Sequence, residues 1–154
     1  MRSRTLVALA AVVLASRWAL ADSPRPTGAR LWTRGDLESL TATLERTGAP
    51  YTRVLKGQTY GVLILRRTAS GDPELHVKLN DFFIVLGGEG EIKVDGSASG
   101  VKTVAPDEER GEKLVGGALY RVRRGDVLLV PANHWLQVLV AKGQVLQALI
   151  IKTR

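Results

Sequence analysis

Short apolar runs separated by turn residues dominate the chain after residue 51. The runs are rich in Val, Ile and Leu, and Gly, Asp, Asn or Pro stand between them. At least eight such runs at close spacing predict an all-β sandwich or barrel. No helix of useful length separates them, which argues against a parallel βαβ sheet. The predicted strands are 60–65, 75–77, 82–86, 91–94, 119–122, 127–130, 136–140 and 145–151.

One helical pattern precedes the strands. Leu37, Leu40 and Leu44 recur at helical spacing, and Thr33 begins a capping box in which Asp replaces the usual Glu. We therefore predict a short helix at about 35–46, whose single apolar stripe must pack on something larger.

The first residues have the pattern of a secretory signal peptide. Arg2 and Arg4 precede an apolar run at 6–15, and the small-x-small sequence 19–21 predicts cleavage after Ala21. The run is too short for a bilayer span of about 20 residues; a retained anchor or a buried helix is the alternative. The predicted organisation is a signal peptide at 1–21, a polar arm with the short helix at 22–50, and a β-barrel domain at 51–154.

Composition removes several classes of function. The 154 residues include no Cys, which excludes disulfides, thiolate zinc sites, iron–sulfur clusters and cysteine nucleophiles, and only two His. The net charge of +7 falls to +4 without the three Arg of 1–21. Basic residues cluster at 66–67 and 121–124 without interleaved aromatic residues, so we predict a solvated basic surface and no nucleic-acid partner.

Two stretches without regular apolar periodicity lie between the predicted strands. The glycines of 87–90 have no following helix and no Lys-Ser/Thr, so they predict a tight turn and not a phosphate loop. The long polar stretch 96–113 predicts either a mobile loop or a rim over a pocket.

Two further stretches carry a spaced set of polar residues. Glu74-x-His76 is followed by four residues, Asp81, six residues and Gly88, and residues 125–133 read Gly, five residues, Pro-x-Asn. In these spacings the chain resembles the small single-domain members of the cupin superfamily. The resemblance implies a cupin-like double-stranded β-helix, a jelly-roll barrel, over roughly residues 60–152. The stretch 106–111 also looks like an insertion associated with a subgroup of exported cupins.

The resemblance also implies a divalent metal inside the barrel. Glu74 replaces the first His of the family's first motif and Asp81 replaces its Glu, while Leu136 stands where the second motif has His. Residues two apart on a strand share a face, so Glu74 and His76 can both point inward. His134 has the same parity as Leu136 and either replaces the missing ligand or lies in the turn. The predicted ligand set is Glu74, His76, Asp81 and His134.

This ligand set suits Mn, Fe or Zn better than Cu. Because the ligands must be deprotonated, metal affinity should fall below about pH 6. The sequence leaves open whether the protein is an enzyme; the Gly-x-Ser-x-Gly motif of serine hydrolases does not occur.

Two alternatives remain at this stage. In the first, the barrel is a metal-free module for a small-molecule ligand, with Lys78 pairing Asp81 in a degenerate metal site and Phe82 or Phe83, Tyr60 and Trp135 as walls. In the second, the barrel serves only to form a homodimer through its sheet edges.

Overall fold

One helix followed by twelve strands makes up residues 28–154, the part of the chain that the computed structural model describes. The predicted signal peptide lies outside the described residues. The helix is α1 (Arg34–Thr47). The strands are β1 (Tyr51–Lys56), β2 (Tyr60–Arg67), β3 (Glu74–His76), β4 (Asn80–Val94), β5 (Ser97–Ser99), β6 (Lys102–Ala105), β7 (Glu108–Arg110), β8 (Lys113–Val115), β9 (Ala118–Arg123), β10 (Val127–Val130), β11 (Trp135–Leu139) and β12 (Leu146–Thr153).

Helix α1 begins and ends where its sequence predicts, to within one residue. The Thr33 hydroxyl accepts from the Asp36 backbone N–H, and the Asp36 carboxylate accepts from the Thr33 N–H, which completes the predicted capping box. Gly48 ends the helix with φ 69, a left-handed conformation that glycine adopts without strain. The helix packs on β2, with Leu44 buried. Within residues 28–154, no helix is long and apolar enough to cross a bilayer.

Ten of the twelve strands form two antiparallel sheets that share β4, as in a jelly roll. The first sheet has the order β1-β2-β12-β4-β10. The second has the order β9-β4-β11-β3-β7-β6. The first half of β4 pairs with β12 and β10, and its second half with β9 and β11, so this strand connects the two sheets.

The prediction of a tight turn at 87–90 was wrong, because these glycines lie within the continuous strand β4. The pairing of β4 with β12 changes register opposite Gln147 and Ala148, and Gly88 has φ 68. A Cβ on Gly88 would collide with the Val145 carbonyl oxygen. The glycines therefore allow a bulge at the point where β4 passes from one sheet to the other.

The long polar stretch forms strands and is not an irregular loop. Strands β5 and β8 pair with each other, β6 pairs with β7, and β7 pairs with β3. The stretch reads as polar because most of its side chains remain exposed or half-exposed on both faces. Its consequence for function is that β7 lies directly against the strand that carries Glu74 and His76.

The core lies between the inner faces of the two sheets. Its most deeply buried side chains include Phe83, Ile92, Leu136 and Leu146. Among the described residues, the buried polar side chains are His76 and Asp81. Since burying a polar or charged group is costly without partners, the groups around these two residues identify the candidate site.

Candidate metal site

His76 and Asp81 form a buried hydrogen bond at one end of the barrel. His76 ends β3 and Asp81 is the second residue of β4, and a short turn joins the two strands. The His76 Nδ1 lies 2.7 Å from the Asp81 Oδ2. With Nδ1 donating to the carboxylate, Nε2 keeps its lone pair for a cation or a donor.

Lys152 approaches the same pair from β12. It lies directly opposite Asp81 in the β12–β4 pairing, and opposite residues point to the same face. The Lys152 Nζ is 2.6 Å from the Asp81 Oδ1 and 3.1 Å from the His76 Nε2. The carboxylate, the imidazole and the ammonium group therefore form one contiguous cluster.

The surroundings of Asp81 hold it in its charged form. Burial alone favours the neutral acid and raises the pKa, but the hydrogen bond from His76 and the charge of Lys152 outweigh burial, and the net pKa lies below its usual value. Asp81 is therefore a fixed negative charge that orients the imidazole ring.

Strand β7 adds two more charged side chains, since its pairing with β3 sets Glu108 opposite His76 and Arg110 opposite Glu74. The His76 Nε2 lies 3.8 Å from the Glu74 Oε2 and 4.0 Å from the Glu108 Oε1. Glu74, His76 and Glu108 each offer a ligand atom, and these atoms lie within 4.8 Å of one another. Two carboxylates and one imidazole are ligands that Mn, Fe or Zn accept.

Arg110 binds both of these carboxylates. Its guanidinium donates to the Glu74 Oε2 and to the Glu108 Oε1. Burial lowers the pKa of Arg110, but the two carboxylates raise it by more, so the net pKa lies above its ordinary value. The guanidinium is therefore a permanent positive charge beside the three candidate ligands.

The structure brings together two of the four predicted ligands and places the other two outside the group of three. Glu74 and His76 share a face and belong to the group of three. Asp81 contacts the opposite ring nitrogen, Nδ1, and lies outside that group. His134 also lies outside it, in the turn before β11, where its Nδ1 is 2.6 Å from the Asp95 Oδ1. Leu136, at the position where the resemblance expects His, is buried in the core opposite Glu74.

Sequence reasoning missed Glu108, Arg110 and Lys152. Lys152 could have been found, because it follows Leu146, Ala148 and Ile150 at every second position of β12 and so shares their inward face. Glu108 and Arg110 lie in the stretch that predicted a loop or rim, and only the pairing of β7 with β3 brings them to His76. Lys78, which the metal-free alternative pairs with Asp81, pairs with Asp107 instead.

A large groove on the described surface lies elsewhere. Its volume is about 900 Å³, and its lining includes Glu89, Glu91, Arg121 and Arg123, with none of the three candidate ligands. The Arg121 side chain is 88% exposed. The buried cluster, in contrast, combines desolvation with specific charge partners, so we place the candidate site at the cluster.

No family model and no curated protein matches the chain. Among solved structures, a Bacillus halodurans protein superposes with a TM-score of 0.56 at 18% identity, over 82% of this chain and 83% of that one. A Klebsiella pneumoniae protein with a double-stranded β-helix domain superposes with a TM-score of 0.54 at 11% identity, over 81% and 90% of the two chains.

A third similar structure is the cupin domain of Cnp3 from Schizosaccharomyces pombe. Its TM-score is 0.50 at 10% identity, over 67% of this chain, and this chain spans 62% of that one, less than two thirds of its length. Identities this low carry the fold and not the activity. The two sheets sharing β4 and these superpositions agree with the fold predicted from the motifs: the chain has the double-stranded β-helix fold of the cupins.

Proposed function

We propose that this cupin-fold protein binds one divalent cation, Mn, Fe or Zn, through Glu74, His76 and Glu108. The observation that carries the proposal is the convergence of their three ligand atoms within 4.8 Å. The contact between the His76 Nδ1 and Asp81 supports it, because histidines that bind metals usually donate their other ring N–H to a carboxylate or carbonyl. Asp81 is then an orienting group and not a ligand.

The charge of the cluster also favours an added cation. The cluster contains three carboxylates and two cationic side chains. The carboxylates are those of Glu74, Asp81 and Glu108, and the cations are the Arg110 guanidinium and the Lys152 ammonium. With a neutral imidazole, one negative charge is left without a counterion in a partly buried place, and a low local dielectric strengthens its attraction for a cation.

A cation with three protein ligands keeps coordination positions open for water or a small-molecule ligand. When bound, it would supply Lewis-acid chemistry to that ligand. Glu108 is the most exposed of the three side chains, at 30%, so a ligand would enter from the β7 side. We name no reaction, because the fold alone supports many chemistries.

A metal-free small-ligand module is the second candidate, and a specific observation favours it. The Lys152 ammonium already lies 3.1 Å from the His76 Nε2, the atom that would bind a metal. Leu136 also removes the His that the second motif would supply. In this alternative, Lys152 and Arg110 neutralise the carboxylates in place of a metal.

Metal analysis and calorimetric titration with MnCl2 and ZnCl2 separate the two candidates. We expect one equivalent in the wild-type protein and a loss of affinity of about tenfold or more in His76→Ala and Glu108→Gln. Glu109→Gln is a matched control, because Glu109 is on the same strand but outside the group of three. Equal, substoichiometric metal in all four proteins would refute the metal proposal and support the metal-free module.

We also propose that the protein is exported and cleaved after Ala21, on the sequence pattern of residues 1–21 alone. Mass spectrometry of the protein from the periplasm or medium of a bacterial host should then give Asp22 as the first residue. A protein that keeps Met1 in the cytoplasm would contradict this. The homodimer formed through the sheet edges stays an alternative, and a monomer in light scattering would count against it.

A further inference from the structure

Arg110 contacts the same oxygen atoms that define the candidate metal site. Its guanidinium donates to the Glu74 Oε2 and the Glu108 Oε1. These are also the two atoms that lie 3.8 Å and 4.0 Å from the His76 Nε2. A cation bound to this group would therefore share its ligand atoms with a guanidinium.

Electrostatics make simultaneous occupancy unfavourable. A guanidinium and a divalent cation on the same carboxylate oxygens lie only a few ångströms apart, and like charges at that separation repel strongly in a partly buried site. Arg110 stays charged at any physiological pH, since the carboxylates raise its pKa above an already high value. The conflict is therefore resolved by movement of the side chain and not by loss of a proton.

The position of Arg110 permits such movement. It ends the three-residue strand β7, and its side chain is 35% exposed, so the guanidinium can rotate into water. The Glu74 side chain is only 18% exposed and remains in the site. Departure of Arg110 would leave both carboxylates free of the guanidinium, while the Lys152 ammonium stays 2.6 Å from the Asp81 Oδ1 and 3.1 Å from the His76 Nε2.

We propose that Arg110 is an internal competitor for the cation: its guanidinium occupies Glu74 and Glu108 in the metal-free protein and leaves them when a divalent cation binds. This inference rests on the proposed function, whose regulation it describes. Its consequence is that the apparent association constant for the metal equals the intrinsic constant multiplied by the fraction of molecules in which Arg110 has left the carboxylates.

The test is calorimetric titration of the wild-type protein, Arg110→Met and Arg110→Gln with MnCl2 and with ZnCl2. We expect the affinity of both variants for each metal to exceed that of the wild-type protein by about tenfold or more. Arg121→Met is the matched control, because Arg121 is an exposed residue of β9 that pairs with Glu91, away from the candidate ligands. The metal affinity of this variant should equal that of the wild type. Circular dichroism checks that each variant folds, and Arg110→Gln decides the outcome if Arg110→Met does not fold.

The outcomes separate this inference from the proposed function. If the wild type binds and both variants bind equally or more weakly, Arg110 is not a competitor, and the metal site stands. If only the variants bind, Arg110 blocks the site without leaving it, so the proposed displacement is refuted, and the native chain belongs to the metal-free alternative. If no protein binds either metal, the proposed function fails, and this inference fails with it.

Discussion

Two histidine–aspartate contacts in this chain have nearly the same length and very different surroundings. The Nδ1 to oxygen distance is 2.7 Å for His76 and Asp81, and 2.6 Å for His134 and Asp95. The side chains of the first pair are 6% and 2% exposed, and those of the second pair 42% and 58%. Distance alone therefore does not identify a functional pair, because water screens the exposed contact and is excluded from the buried one.

The difference follows from where each pair lies in the fold. His76 and Asp81 are on strands with set registers, so their side chains are held on the inner face together with Lys152. His134 and Asp95 lie in turns next to β11 and β4, where their side chains face solvent. The buried pair should therefore dominate both stability and ion binding.

The largest expected effect is the loss of the Asp81 carboxylate. Asp81→Ala leaves the Lys152 ammonium and the His76 ring without their counterion, and removing one partner of a buried pair costs about 3–5 kcal/mol. Asp95→Ala removes the equivalent partner from the exposed pair and should cost about 0–1 kcal/mol. Urea unfolding at pH 7 measures both changes, and losses of equal size would refute the contrast between the pairs.

Acid should reduce the contribution of Asp81 selectively. Its folded-state pKa lies below the usual value, so its stabilisation is present above the unfolded-state pKa of about 3.9 and is lost as the pH falls through the folded-state pKa. The stability advantage of the wild type over Asp81→Asn should therefore shrink as the pH falls below about 4. Urea unfolding of both proteins at a series of pH values from about 5 downward checks the prediction, and an advantage that stays the same or grows below about pH 4 would contradict it.

A smaller effect is expected from Lys152. Lys152→Met deprives the buried Asp81 carboxylate of one charged donor, which should cost about 1–3 kcal/mol. Lys78→Met is the matched control, because Lys78 pairs with Asp107 near the surface and its loss should cost about 0–1 kcal/mol. If the two variants unfold at the same urea concentration, Lys152 does not stabilise the buried cluster.

These two lysines show which features of the structure could be predicted from the sequence and which could not. The alternation of apolar residues predicted most strands correctly, and their helical spacing predicted the capped helix. Both patterns depend on local geometry. The same alternation along β12 could have assigned Lys152 to the inner face. Lys78 was the nearer residue in sequence to Asp81, but sequence separation does not give the register of β12 against β4, which determines the actual partner.

Glu108 and Arg110 were beyond sequence reasoning for a different reason. Their strand β7 has three residues and pairs with β3, about 30 positions earlier in the chain. Short polar strands have no apolar period, so their pairing depends on tertiary contacts. The glycines of β4 were predicted to form a tight turn for a similar reason. A tight turn and a bulge both use positive φ, and only the pairing of the neighbouring strands distinguishes them.

The smallest expected effect belongs to His134, one of the four ligands predicted from the sequence. His134→Ala removes an exposed contact with Asp95 and should change the free energy of unfolding by about 0.5 kcal/mol or less. Metal affinity in calorimetry should equal that of the wild type, because His134 lies outside the group formed by Glu74, His76 and Glu108. A loss of affinity comparable to that of His76→Ala would instead mean that the turn before β11 moves to bring His134 onto the cation, and the exposed pair would then be part of the site.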